Sequence, residues 1–203
     1  MRNADAVSIL RIPLLLLLVY AISVRADAAA SLVLLAILFV SDAADGYLTF
    51  DEKLSMSDFV HYLFEEARLA RKRERSRPKT PRYAAFLDIG VDRLIEYALW
   101  LTFVLLSVTP WFVLAIVFLR NTIADALVLR KRKAFSEMHT GFGRIASSHV
   151  SRGAYAVLKA VNFAYLVLVA TAGWPISAGY ALTAAVVVFS LFRGVAEIYE
   201  ATR

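Results

Sequence analysis

Asp42 and Asp45 stand three residues apart, and Asp88 and Asp92 four apart, spacings that put each pair on one face of a helix within a single turn. Two antiparallel helices carrying such pairs can converge four carboxylates on one volume, and two divalent cations would cancel their charge. Oxygen-only ligands in a chain without cysteine suit Mg²⁺ or Mn²⁺, and Mg²⁺ is commonly held by carboxylates together with substrate phosphates. Phosphoryl transfer asks little covalent chemistry of a protein. It needs metals and positive charge to hold phosphates and absorb developing charge, and basic residues lie near both pairs. The bland alternative is that these aspartates pair with Arg11, Arg93, Arg120 and Arg144 to seal helix ends.

The elements that must position the aspartates are membrane spans. The 203 residues are 60% hydrophobic, against roughly 45–50% in soluble domains. Six apolar runs, 7–24, 28–44, 86–108, 111–129, 154–172 and 176–195, approach the roughly 20 residues that cross a hydrocarbon core of about 30 Å. Basic residues alternate between the two sides of this arrangement. The connection 50–83 carries Lys53, Arg68, Arg71, Lys72, Arg73, Arg75, Arg77, Lys79 and Arg82. The next long connection carries Arg130, Lys131, Arg132, Lys133, Arg144 and Arg152. Segments 107–110 and 173–175 carry no charge, and 25–27 has one basic residue. Both termini are therefore expected in the cytoplasm, with the chain in the cell membrane. The net charge of +6 follows from this asymmetry and from attraction to anionic headgroups, so nucleic-acid binding is not called for. Arg2, Arg11, the run 12–24 and Ala26-Asp27-Ala28 imitate a cleaved signal peptide. A retained first helix instead keeps an even number of spans and the charge alternation intact.

On this reading all four aspartates lie at the cytoplasmic ends of the second and third spans. Each would cost about 2.5–3.5 kcal/mol at membrane depth, so something must neutralise them. Between the two pairs, Phe59, Val60, Leu63, Phe64, Ala67 and Ala70 recur at helical spacing, which describes an amphipathic helix on the cytoplasmic interface. The basic run 71–77 follows, ended by Pro78 and Pro81. Trp100, Trp111, Trp174 and Tyr180 fall near span ends and are expected to anchor at the interfaces. Gly141, Gly143 and Gly153 break the later cytoplasmic connection.

Asp42-Ala43-Ala44-Asp45-Gly46 and Asp88-Ile89-Gly90-Val91-Asp92 resemble the two ends of the hallmark of the CDP-alcohol phosphotransferases, Asp-x-x-Asp-Gly-x-x-Ala-Arg followed by Gly-x-x-x-Asp-x-x-x-Asp. Asp5-x-x-Ser8-x-x-Arg11 is similar to the family's Asn-x-x-Thr-x-x-Arg entry, and Gly143-Arg144 to its Gly-Lys. The chain departs from the pattern at Thr49-Phe50, where the family has Ala-Arg, and at Ala84, where it has Gly. The stretch between Asp45 and Asp88 is about twice the family's usual length. The resemblance implies an all-α integral membrane fold of six transmembrane helices in one domain, 1–203, with an extended cytoplasmic connection at 50–83, a cytoplasmic active site and a homodimer. It implies that Asp42, Asp45 and Asp88 ligate two ions of Mg²⁺ or Mn²⁺, with Asp92 as a further ligand or the general base. Asp42 and Gly46 would hold the donor nucleotide, and Ala67-Arg68 or Ala70-Arg71 would stand in for the missing pair.

The implied activity is transfer of a substituted phosphoryl group from a CDP-linked lipid to a small alcohol, with release of CMP, as in phospholipid synthesis. Arg120, Arg144 and Arg152 flank the later cytoplasmic helix ends, and guanidinium forks suit phosphate; they are expected to bind an acceptor that carries its own phosphate, with ordinary positive-inside topology as the equal alternative. An ion-coupled transporter or channel is the competing class, since acids within a membrane can bind cations. A membrane scaffold acting through 50–83 is a third, and leaves the four aspartates unexplained.

Overall fold

In the computed structural model, residues 3–48, 82–131 and 149–202 are described, and among them the chain forms six helices and no strand. They are α1 (Asn3–Ser23), α2 (Ala28–Leu48), α3 (Arg82–Leu105), α4 (Trp111–Lys131), α5 (His149–Ala172) and α6 (Ile176–Thr202). Four contain their apolar run whole, whereas α1 stops one residue short of the end of 7–24 and α3 three short of the end of 86–108; every helix extends beyond the charged end of its run. Two stretches, Gly153–Ala172 and Ile176–Ala196, are long and apolar enough to cross a membrane. The amphipathic segment expected between α2 and α3 lies outside the described residues.

The three short connections turn on residues with positive φ: Arg25 at 52°, Ser107 at 58° and Gly173 at 69°. After α1, Arg25 N donates to Ile22 O and Ala26 N to Ala21 O; after α3, Ser107 N donates to Val104 O and Val108 N to Phe103 O. Both are Schellman closures, which satisfy the last carbonyls of a helix and reverse the chain. Asp27 then caps α2, its Oδ2 accepting from Ala30 N at 2.9 Å. The turns pair α1 with α2, α3 with α4 and α5 with α6.

Packing closes these hairpins into a ring in the order α1, α2, α5, α6, α4, α3 and back to α1. Phe163 of α5 fills the centre, with its ring centroid 4.9 Å from Trp100, 6.0 Å from Phe103 and 6.3 Å from Phe39. Trp100 is thereby not an interfacial anchor: it is fully buried, because one face of α3 turns inward toward α5. Trp111, Trp174 and Tyr180 are exposed near helix starts. Large apolar side chains also face outward on every helix, among them Leu16, Val33, Leu101, Phe118, Val157 and Val188.

Candidate functional site

Arg11 lies midway along α1 and Asp92 ten residues into α3, both about 20 Å above the short-turn end at 1.5 Å per residue. There Arg11 Nη1 donates to Asp92 Oδ1 at 2.8 Å. The Arg11 side chain is buried, whereas that of Asp92 is 44% exposed. The cation is the fixed partner, and it holds the carboxylate in one orientation.

One turn further along α3, Glu96 points into the bundle and is 5% exposed. Its Oε2 accepts from Arg93 Nη1 at 3.3 Å and from Asn121 Nδ2 at 3.4 Å, while Lys159 Nζ of α5 lies 3.6 Å from Oε1. Arg93 commits its fork elsewhere: Nε and Nη2 each donate to Asp125 of α4 at 2.8 Å, the bidentate geometry of a strong guanidinium–carboxylate pair. Lys159 Nζ also sits 5.6 Å from the centroid of the Tyr155 ring.

A cavity of about 190 Å³ lies between these groups. Arg11, Asp92, Arg93, Glu96 and Lys159 supply its polar wall, and Phe39, Ile95, Leu99 and Phe163 its apolar wall. Phe39 is one turn before Asp42 on α2, so the acidic end of α2 stands at the same end of the bundle as Asp92. Asp42, Asp45 and Gly46 are on α2 and Asp88 on α3; their side chains, like that of Arg152 on α5, lie outside what the structure describes. Arg68, Arg71 and Arg144 lie outside the described residues. Carboxylate oxygens are the donors a hard divalent cation takes, and α2 and α3 bring their aspartate-bearing ends to one end of the bundle.

Arg120 is placed away from the cavity. Its Nε donates to Ser190 O at 3.2 Å and its Nη1 to Asn121 Oδ1 at 2.8 Å. Gly194 makes room for it, since a Cβ there would lie 2.8 Å from Arg120 Cγ. Arg120 thus fastens α4 to α6.

Sequence reasoning passed over Glu96, Asn121 and Lys159. The signals were present: Glu96 continues the four-residue spacing of Asp88 and Asp92, and Lys159 is the one charged residue of the run 154–172. No protein-family model matches the chain, and no curated relative matches it.

Proposed function

We propose that the chain is a six-span membrane enzyme of the CDP-alcohol phosphotransferase type, moving a substituted phosphoryl group from a CDP-linked lipid to an alcohol. The observation that carries this reading is the coincidence at one end of the bundle of the acidic ends of α2 and α3 with a charged cavity, beneath which Asp92 is oriented by Arg11. The outward apolar side chains on all six helices support a bilayer as the solvent. So does the burial of Arg11 and Glu96 with their partners, because intramembrane charges face the bundle and pair with one another.

Asp42, Asp45, Asp88 and Asp92 would hold Mg²⁺ or Mn²⁺, which would supply charge neutralisation for the diphosphate and the leaving CMP. Asp92 accepts the proton of the acceptor hydroxyl. The alcohol oxygen then bonds to the lipid-bearing phosphorus as the bond from that phosphorus to the CMP oxygen breaks, and CMP departs with the electron pair. Arg11 keeps the Asp92 carboxylate aimed during this transfer. In the transporter reading, Asp125 would be the cation ligand outside the aspartate pairs, but Arg93 already commits its fork to it.

Purified protein, a CDP-linked lipid, Mg²⁺ and a panel of small alcohols test the proposal through CMP release. Release is expected to stop on chelation and to return with Mg²⁺ or Mn²⁺. Turnover unchanged after rigorous chelation refutes the metal assignment, and no CMP release with any acceptor refutes the reaction.

A further inference from the structure

Within the charged wall of the cavity, the ion pairs are unequal. Arg11 to Asp92 and Arg93 to Asp125 are tight at 2.8 Å, the length of good charge-assisted bonds. Glu96 is different: its three neighbours stand at 3.3, 3.4 and 3.6 Å, although the residue is almost wholly buried. Lys159, one of these neighbours, completes no hydrogen bond to Glu96 at that distance. Glu96 and Lys159 therefore face the cavity as a carboxylate and an ammonium that are close but loosely engaged.

Building on the transferase reading, we infer that this cavity is the acceptor site and that the acceptor is a small zwitterionic amino alcohol, its ammonium on Glu96 and its carboxylate on Lys159. Charge balance decides the class. Among the described residues, the cations Arg11, Arg93 and Lys159 are matched by the carboxylates of Asp92, Asp125 and Glu96. An acceptor bearing its own phosphate would add net negative charge to these matched pairs, two of whose members, Arg11 and Glu96, are buried, where an unpaired charge is costly. A zwitterion adds none, and it supplements the one loose Glu96–Lys159 contact with two charge-assisted ones, each roughly twice as strong as the neutral hydrogen bonds open to a polyol. Capacity agrees: at about 30 Å³ per liquid water, the cavity holds roughly six waters or one small polar molecule.

The same placement serves the reaction. Asp92 and Glu96 are neighbours on one face of α3, with Cβ atoms about 5–6 Å apart. An ammonium seated on Glu96 puts a hydroxyl on the adjacent carbon within reach of Asp92. Glu96 and Lys159 touch the acceptor in this arrangement, while Asp92 takes its proton.

Calorimetric titration of the detergent-solubilised protein tests the inference with L-serine, ethanolamine, glycerate and glycerol 3-phosphate as probes. L-serine is expected to bind at least about tenfold tighter than ethanolamine, which lacks the carboxylate, and than glycerate, which lacks the ammonium. Lys159→Met should reduce the serine preference over ethanolamine to near unity, and Glu96→Gln should do the same for the preference over glycerate. Because each comparison is a ratio within one protein, partial loss of stability does not mimic it, and if a variant fails to fold the wild-type series decides. Glycerol 3-phosphate binding tighter than L-serine, equal binding of all four, or no binding of any overturns the inference. CMP release separates the two levels: serine binding with no release from any acceptor sinks the transferase and leaves the cavity assignment standing. Release driven by glycerol 3-phosphate and not by serine leaves the transferase and overturns the zwitterion.

Discussion

Replacing Gly194 by alanine tests whether Arg120 is a structural tie between α4 and α6. A Cβ at this position would lie 2.8 Å from Arg120 Cγ and 2.9 Å from Nε, so the arginine must move. Moving it strains or breaks the bond from Nε to Ser190 O. Overpacking costs about 1–3 kcal/mol, and a hydrogen bond from a charged group contributes about 1.5–3 kcal/mol. Against these stands a gain of about 0.8–1.0 kcal/mol for alanine over glycine inside a helix. The net expectation is a loss of about 3 kcal/mol, or a fall in Tm of roughly 6–12 °C for a chain of this size. Gly153 supplies the control, because a Cβ there meets nothing within 4 Å. Gly153→Ala should leave Tm unchanged or raise it. Thermal melts followed by tryptophan fluorescence in detergent measure both. In an Arg120→Ala background the cost of Gly194→Ala should largely vanish, since the two changes act on one contact. A Gly194→Ala protein as stable as wild type, or strictly additive costs in the double variant, refutes the argument.

Asp92→Asn is expected to retain CDP-lipid binding while CMP release falls by about 10²–10⁴-fold, the usual contribution of a positioned base; near wild-type turnover would move the base elsewhere. Phe163→Ala should cost about 3–5 kcal/mol, because the ring is 1% exposed and meets three other rings, and an unchanged melt would show that the centre of the bundle is not packed as described. In sealed vesicles of known orientation, protease is expected to cut within 50–83 from the cytoplasmic side, as the dense basic run there predicts; cutting only from the outer side reverses the proposed topology.

The helices were legible because their signal is local. A run of apolar residues reports its own length, and the uncharged segments 107–110 and 173–175 announce the turns, which close through Schellman bonds at Ser107 and a positive-φ Gly173. The spacing of the four aspartates likewise follows from helical period alone. What a charged or aromatic residue inside a span will meet is not local. Trp100 sits in the same kind of apolar surroundings as Trp111, yet one is buried against Phe163 and the other is exposed. Arg120 reads in sequence as a phosphate ligand beside a cytoplasmic helix end, whereas the packing of α6, with Gly194 opposite, turns it into a clamp.

The amino-acid order by itself determined six helical runs, their short turns and the two aspartate pairs, since each depends on residues within one or two turns of one another. Only the tertiary structure decided that Arg11 would hold Asp92, that Arg93 would spend its fork on Asp125, and that Glu96 and Lys159 would come together in the wall of a cavity. Those pairings join α1 to α3, α3 to α4 and α3 to α5, and an ionic contact between helices depends on the register and rotation at which their apolar faces pack, which no stretch of a single helix contains.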